Sequence, residues 1–190
     1  MVLKKEQIVH KALELLNYDG LQELTVRKLA DTLSVQPGAL YWHFKNKQAL
    51  LSAMAEAILK DLGAGDASQY ASRWDEILKN EMIKLRQALL RYRDGAAVVI
   101  ATDPSNVEAY NRLSRLLKQS LVQAGFKPDQ AITIGGNALI YTVGLTLMER
   151  SPINSEGKRK YGAVSPDMQT FFEEGLRLFI KGAEQDLRKD

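Results

Sequence analysis

The sequence predicts an all-α fold. Along most of the chain, apolar residues recur every three or four positions, which is the spacing of a helix with one buried face. These patterns end where glycine or proline directly follows aspartate, at Asp19-Gly20, Asp94-Gly95 and Asp103-Pro104. No stretch alternates apolar and polar residues for long enough to indicate a β-strand.

Composition limits the classes of protein that this chain can belong to. Hydrophobic residues make up 45% and charged residues 26% of its 190 residues, which is typical of a soluble folded protein. The net charge of +3 permits nucleic-acid binding without requiring it. The chain has no cysteine, which excludes disulfide bonds and thiolate metal sites. We expect a cytoplasmic protein, because the N-terminus enters charged helical sequence and lacks the apolar core of a signal peptide.

The first sixty residues predict a compact helical module. A first helix covers residues 5–18, Thr25 is placed to cap a second helix, and Asn46 can cap a longer one. Residues 63–68 are small and flexible and contain no apolar anchor, so a domain boundary is expected there. The chain is thus predicted to divide into domains at 1–63 and 64–190.

The second half predicts longer helices. Capping-box patterns begin at Ser72 and Ser105, and Pro128 can occupy the first turn of a helix that carries no charge from residue 131 to 148. A last helix opens near Asp167 and carries a wide apolar stripe. The uncharged segment is long enough to cross a membrane. Its threonine, glycine and asparagine content favours a helix buried among other helices, and no membrane partner is expected.

The stretch from Thr25 to Lys47 predicts a helix-turn-helix. Its apolar residues can lock two short helices at a fixed angle, and in such a motif the second helix enters the major groove of DNA. Arginine and glutamine can read base edges with two hydrogen bonds, whereas tyrosine, histidine and lysine more often bind phosphates. Pro37 and Gly38 open the second helix, where bulky side chains would hold the backbone away from the groove. The residues expected to be exposed are Arg27, Gln36, Ala39, Tyr41, Trp42, His43 and Lys47.

A competing interpretation treats the aromatic residues after Leu40 as the core of an ordinary amphipathic helix. Phe44 is expected to be core under either interpretation. The aromatic, histidine and lysine residues lie between the helix capped by Thr25 and the helix capped by Asn46. This arrangement favours DNA binding. The chain then consists of a three-helix helix-turn-helix DNA-binding domain followed by a helical regulatory and dimerisation domain.

Two segments resemble a known family. Residues 25–30, Thr-Val-Arg-Lys-Leu-Ala, and residues 37–51, Pro-Gly-Ala-Leu-Tyr-Trp-His-Phe-Lys-Asn-Lys-Gln-Ala-Leu-Leu, look like the N-terminal signature of the TetR family of bacterial transcriptional repressors. The resemblance extends over residues 5–104. It implies a homodimer on a palindromic operator of double-stranded DNA, with an inducer pocket in the C-terminal helices. It places DNA contacts at Arg27, Gln36, Pro37, Gly38, Ala39, Tyr41, Trp42, His43 and Lys47.

The resemblance weakens at the inducer site. Family members that respond to tetracycline hold it as a magnesium chelate, partly through histidines. The matching positions here are Val99 and Gly63, and no histidine follows His43. We therefore expect no metal, no cofactor, and an unidentified small apolar or amphipathic inducer other than tetracycline. Its predicted contacts, which are also plausible core positions, are Leu62, Met82, Leu85, Val99, Thr102, Asn137 and Tyr141.

Three functions are compatible with these patterns. The first is a ligand-controlled repressor that dimerises through its last two long helices. The second is a DNA-binding regulator that responds to no small molecule. The third, a helical-bundle enzyme, is disfavoured because both histidines lie in the first module and no Glu-x-x-His pair exists for a di-metal site.

Overall fold

The computed structural model describes residues 3–64, 73–150 and 167–187. Within these ranges every regular element is helical, which confirms the predicted fold class. The elements are α1 (Lys5–Asp19), α2 (Val26–Thr32), α3 (Pro37–Tyr41), α4 (Lys47–Leu59), α5 (Trp74–Leu90), α6 (Gly95–Ile100), a 3₁₀ turn (Pro104–Asn106), α7 (Glu108–Gln123), α8 (Pro128–Glu149) and α9 (Met168–Leu187).

Local sequence signals cap the N-termini of α2, α4 and α9. The Thr25 hydroxyl accepts a hydrogen bond from the Lys28 N–H at 3.2 Å, and the Asn46 side chain accepts one from the Ala49 N–H at 2.8 Å. Both predicted caps are therefore confirmed. At the start of α9 the Asp167 carboxylate accepts the Thr170 N–H at 3.0 Å, and this bond lowers the pKa of Asp167.

The start of α7 differs from the prediction. Ser105 lies in the 3₁₀ turn, where the Asp103 carboxylate accepts its N–H at 2.9 Å, and α7 begins only at Glu108. The first turn of α7 is instead capped from another helix, because the Glu56 carboxylate of α4 accepts the Ala109 N–H at 2.9 Å. The cap predicted at Ser72 lies outside the described residues.

One apolar core runs through both halves of the molecule. Residues with no exposed surface, such as Ile8 and Leu29 in the first module and Leu78 and Met82 in α5, belong to the same cluster. Leu62, three residues beyond the end of α4, is part of it too. The domain division at residue 63 remains a prediction, and the structure shows that packing continues across it. Residues 65–68 of the predicted boundary lie outside the described residues.

Helix α8 is the central helix of the second half. It packs against α5, α6, α7 and α9, and it is long and apolar enough, by length and composition alone, to cross a membrane. Its buried hydroxyls are satisfied within the helix: Thr142 donates to the Ala138 carbonyl at 2.8 Å and Thr146 to the Thr142 carbonyl at 2.7 Å. These contacts make α8 a structural core helix on one side. Its other side exposes isoleucines.

Candidate DNA interface and regulatory contacts

The turn between α2 and α3 is tight and internally bonded. The Val35 N–H donates to the Ala30 carbonyl at 3.0 Å, and Ser34 adopts a positive φ of 55°. Leu29, Ala30 and Leu40 are buried beneath the turn. These contacts fix the angle between the two short helices, as the apolar pattern of the sequence predicted.

The surface above this turn carries the predicted DNA contacts. Trp42 is 92% exposed and Tyr41 is 52% exposed, whereas Phe44 is buried at 5%. A tryptophan exposed to this extent does not belong to the core of the subunit. Of these three aromatic residues, only Phe44 is therefore a core residue. Among the other predicted contacts, Arg27, Gln36, Gly38 and Lys47 are exposed, and Pro37, Ala39 and His43 are half-buried.

Some lysines near this surface interact with other side chains, and others are exposed to solvent. Lys28 forms an ion pair with Asp19 at 3.3 Å, and the Lys5 ammonium lies 5.2 Å from the centre of the Phe44 ring. Lys45 and Lys47 flank Asn46 and are both exposed. Lys45 was not among the predicted contacts, although its position beside the capping asparagine was visible in the sequence.

The predicted inducer contacts lie at different depths. Leu62, Met82, Leu85 and Thr102 are buried, Val99 and Tyr141 are half-buried, and Asn137 is exposed. The Thr102 hydroxyl donates to the Val98 carbonyl at 2.7 Å, so its polar atom is already satisfied. A groove of about 310 Å³ between α7 and α8 is lined by other residues, among them Tyr110, Leu117, Ile132 and Leu139. The predicted inducer site remains a prediction.

A buried arginine joins three helices of the regulatory half. The side chain of Arg86 in α5 is 7% exposed and pairs with both carboxylate oxygens of Glu149 in α8, at 2.9 and 3.0 Å. It also donates to the Gln169 side chain of α9 and lies 5.3 Å from the Phe172 ring centre. Its Nε atom is buried and has no hydrogen-bond partner among the described residues. No pattern in the sequence indicated this cluster, because Arg86 is more than sixty positions from each of its partners.

Tyr141 connects α8 to α9 beside this cluster. Its ring stacks on Phe172 with centroids 5.9 Å apart, and its hydroxyl donates to the Phe172 carbonyl at 3.2 Å. Burial raises the pKa of Tyr141, and the nearby positive charge of Arg86 partly opposes this effect. Tyr141 is thus neutral at physiological pH and serves as a hydrogen-bond donor between two helices.

The turn between α5 and α6 docks on the end of α1. The Asp94 carboxylate accepts the Leu21 N–H at 2.7 Å, and the Arg93 guanidinium donates to the Tyr18 carbonyl at 2.8 Å. The Arg93 N–H also donates to the Asn17 side chain at 2.9 Å. These bonds connect the regulatory half directly to the first helix of the helix-turn-helix module.

Helix α4 forms a second connection between the two halves. Besides the Glu56 cap on α7, the Arg112 guanidinium of α7 donates to the Lys60 carbonyl at 2.8 Å. The buried Glu81 carboxylate of α5 accepts the Gly63 N–H at 3.0 Å and the Lys84 ammonium at 2.8 Å. Gly63 has a φ of +66°, and a Cβ there would lie closer than 3.0 Å to the backbone of Leu113. The end of α4 and the four residues that follow it are therefore held against both α5 and α7.

Comparison with known proteins agrees with this architecture. Residues 8–54 match the model for bacterial regulatory proteins of the tetR family, and residues 68–167 match the tetracyclin repressor-like C-terminal domain. The class A tetracycline repressor protein from transposon 1721 of Escherichia coli is 34% identical, over 95% of this chain and 90% of its own length. The chain belongs to the TetR family.

This TetR-family protein is similar to two solved structures, one of a complex with a small molecule and one of a complex with an operator. A single-residue variant of TetR from Acinetobacter baumannii AYE, in complex with minocycline, is 35% identical with a TM-score of 0.79, and the match covers 96% of this chain and 97% of that one. BioQ with its double-stranded DNA operator is 31% identical with a TM-score of 0.74, covering 95% and 98% respectively. The first of these relatives thus binds a small molecule, and the second binds double-stranded DNA.

Proposed function

We propose that this TetR-family protein is a cytoplasmic transcriptional repressor. In this proposal it binds a palindromic operator as a homodimer and leaves the operator when a small molecule other than tetracycline binds. The main support is the surface over α2 and α3, where Tyr41 and Trp42 are exposed beside lysines on a tightly folded helix-turn-helix. The BioQ structure with its operator supports DNA as the partner. The matched relatives are regulators, which favours regulation over catalysis.

Tyr41→Ala and Lys47→Ala are each expected to weaken operator binding about tenfold, because each removes one contact to a phosphate. Both side chains are exposed, so the unfolding temperature should stay unchanged. Lys47→Ala should also reduce the slope of log affinity against log salt by about 0.9. Fluorescence anisotropy with a labelled operator measures both effects.

Lys118→Ala is the matched control for these variants, since Lys118 is an exposed lysine on α7, away from the helix-turn-helix. It should bind like the unmodified protein. Operator affinity that is unchanged in both Tyr41→Ala and Lys47→Ala would contradict the proposed DNA surface.

The outer face of α8 and α9 supports the proposed homodimer. Ile132 and Ile140 on α8 are 58% and 71% exposed, and Leu178 on α9 is 61% exposed. Gly136 and Gly144 lie in the interior of α8, where glycine is about 1 kcal/mol less favourable than alanine. A Cβ at either position would meet no atom within 4 Å, so packing inside the subunit does not explain these glycines. Close approach of a second copy would explain both the glycines and the exposed isoleucines.

Ile140→Asp is expected to convert the dimer to a folded monomer, because it places a charge in the proposed interface while leaving the core of the subunit intact. Sedimentation velocity measures the mass directly. Ile100→Asp is the matched control, since Ile100 is 55% exposed on α6 and lies on neither α8 nor α9. A variant Ile140→Asp that remains dimeric at micromolar concentration would place the interface elsewhere.

The residues at the expected inducer site do not fit a magnesium chelate. Val99 and Gly63, the positions that match the histidines of the tetracycline-binding members, offer no metal-binding side chain. Across the described ranges no group of three histidine, aspartate or glutamate side chains is arranged to hold a metal. We therefore propose an apolar or amphipathic inducer that binds without a metal.

A thermal-shift screen tests the inducer proposal. Tetracycline with magnesium should leave the unfolding temperature unchanged. An inducer at one hundred times its dissociation constant should stabilise the protein by about 2.7 kcal/mol and release the operator in the same buffer. Magnesium-dependent stabilisation by tetracycline would contradict the proposal. In the alternative, a regulator without a ligand, the four buried residues of the predicted set are ordinary core residues, and a screen without any stabilising compound would support it.

A further inference from the structure

The first turn of α3 offers few groups that can read a base. Gln36 is the N-cap residue of α3 and is exposed. The next three residues, Pro37, Gly38 and Ala39, have no side-chain donor or acceptor, and Leu40 is buried. In a helix-turn-helix, the N-terminal residues of the second helix are those that face base edges. Gln36 is therefore the one hydrogen-bonding side chain that residues 36–40 present to the major groove.

Gly38 is not explained by the fold of the subunit. It does not have a positive φ, unlike Gly20, Gly63 and Gly125. A Cβ at Gly38 would meet no atom within 4 Å, so packing does not require its absence either. Alanine stabilises a helix relative to glycine, because glycine loses more backbone freedom on folding. A glycine with neither a conformational nor a packing reason, on a surface proposed to bind DNA, is explained by close approach of the backbone to that DNA.

We propose that Gln36, the N-cap residue of α3, specifies one base of the operator, and that this base is adenine. A glutamine amide matches the N6 donor and N7 acceptor of adenine with two hydrogen bonds. Gly38 leaves room for the backbone of α3 to approach the bases, and the methyl group of Ala39 then contacts a thymine methyl. The base pairs that Gln36 and Ala39 contact are thus A·T pairs. This inference rests on the proposed DNA-binding function and adds the base class that is read.

Selection of operators from a library of randomised palindromes tests the proposal. The unmodified protein should enrich A·T pairs in each half-site. Gln36→Ala should lose the preference at one position and bind the selected operator about tenfold or more weakly. Gln36→Glu should shift that position from adenine to cytosine, because a carboxylate accepts a hydrogen bond from the cytosine amino group. Gln87→Ala, an exposed glutamine on α5, is the matched control and should select the same operator as the unmodified protein.

Gly38→Ala tests the close approach separately. We expect an unfolding temperature that is equal or higher, together with operator binding that is about tenfold weaker and an unchanged consensus sequence. This combination separates a DNA contact from a folding role, because a glycine needed for folding would lose stability instead.

The possible failures are distinguishable. An unmodified protein that enriches no palindrome would contradict the proposed function itself. If Gln36→Ala and Gln36→Glu select the same palindrome as the unmodified protein, only the assignment of Gln36 would be overturned. The same would follow if the position at which Gln36→Ala loses its preference were a G·C pair. Unchanged operator affinity in Gly38→Ala would overturn the role of Gly38.

Discussion

Replacing Gly63 with alanine is expected to lower the free energy of unfolding by about 3 kcal/mol, the upper end of the cost of a non-glycine residue in a rare backbone conformation. Gly63 has a φ of +66°, and an added Cβ would lie closer than 3.0 Å to backbone atoms of Arg112 and Leu113. Backbone atoms cannot rotate away as the end of a side chain can. The backbone must therefore shift where the residues after α4 meet α7.

Urea denaturation at a fixed protein concentration measures this loss. Gly38→Ala is the matched control, because its Cβ would lie in open space and its φ is not positive. Equal stability of the two glycine variants would show that the contact between Gly63 and α7 does not constrain the fold.

Replacing Arg86 with methionine is expected to cost about 3 to 5 kcal/mol, because breaking a buried ion pair leaves one charge without its partner. The unpaired charge would be Glu149, whose side chain is 23% exposed, and the helices α5, α8 and α9 would lose their common polar contact. Arg86→Met combined with Glu149→Leu should recover most of this loss, since a buried pair replaced by apolar residues is often neutral.

The control for this pair is Arg115→Ala. Arg115 forms an ion pair with Glu108 at 2.6 Å, but both side chains are more than half exposed. Its loss should change stability by less than about 1 kcal/mol, because water screens surface pairs. If Arg86→Met and Arg115→Ala gave equal losses in thermal or urea unfolding, the Arg86 cluster would not be a buried determinant of stability.

The sequence was sufficient wherever the physical cause is local. The caps at Thr25 and Asn46 depend on hydrogen bonds across three residues, and both were predicted correctly. The start of α7 was predicted wrongly, because its cap comes from Glu56, more than fifty positions earlier. A capping pattern in the sequence contains no information about a carboxylate supplied by another helix.

The two candidate sites also differ in how far they can be predicted from local sequence. The predicted DNA surface follows from the order of residue types within one short motif. As expected from that order, Trp42 is exposed and Phe44 is buried. The predicted inducer contacts rest on helical period and on the resemblance to the family, and the same spacing fits a packed core as well as a cavity wall. The helical period therefore does not separate the buried Met82 from the exposed Asn137.

The contacts of α4 have a consequence for hybrid regulators. A chimera that joins this helix-turn-helix to another sensor at residue 63 would separate Glu56 from the α7 turn that it caps, and the Gly63 N–H from Glu81. Moving the joint into α4, before Glu56, would keep both of these contacts within the sensor. The bonds of Arg93 and Asp94 to the end of α1 would still cross that joint, so a working hybrid must preserve them as well.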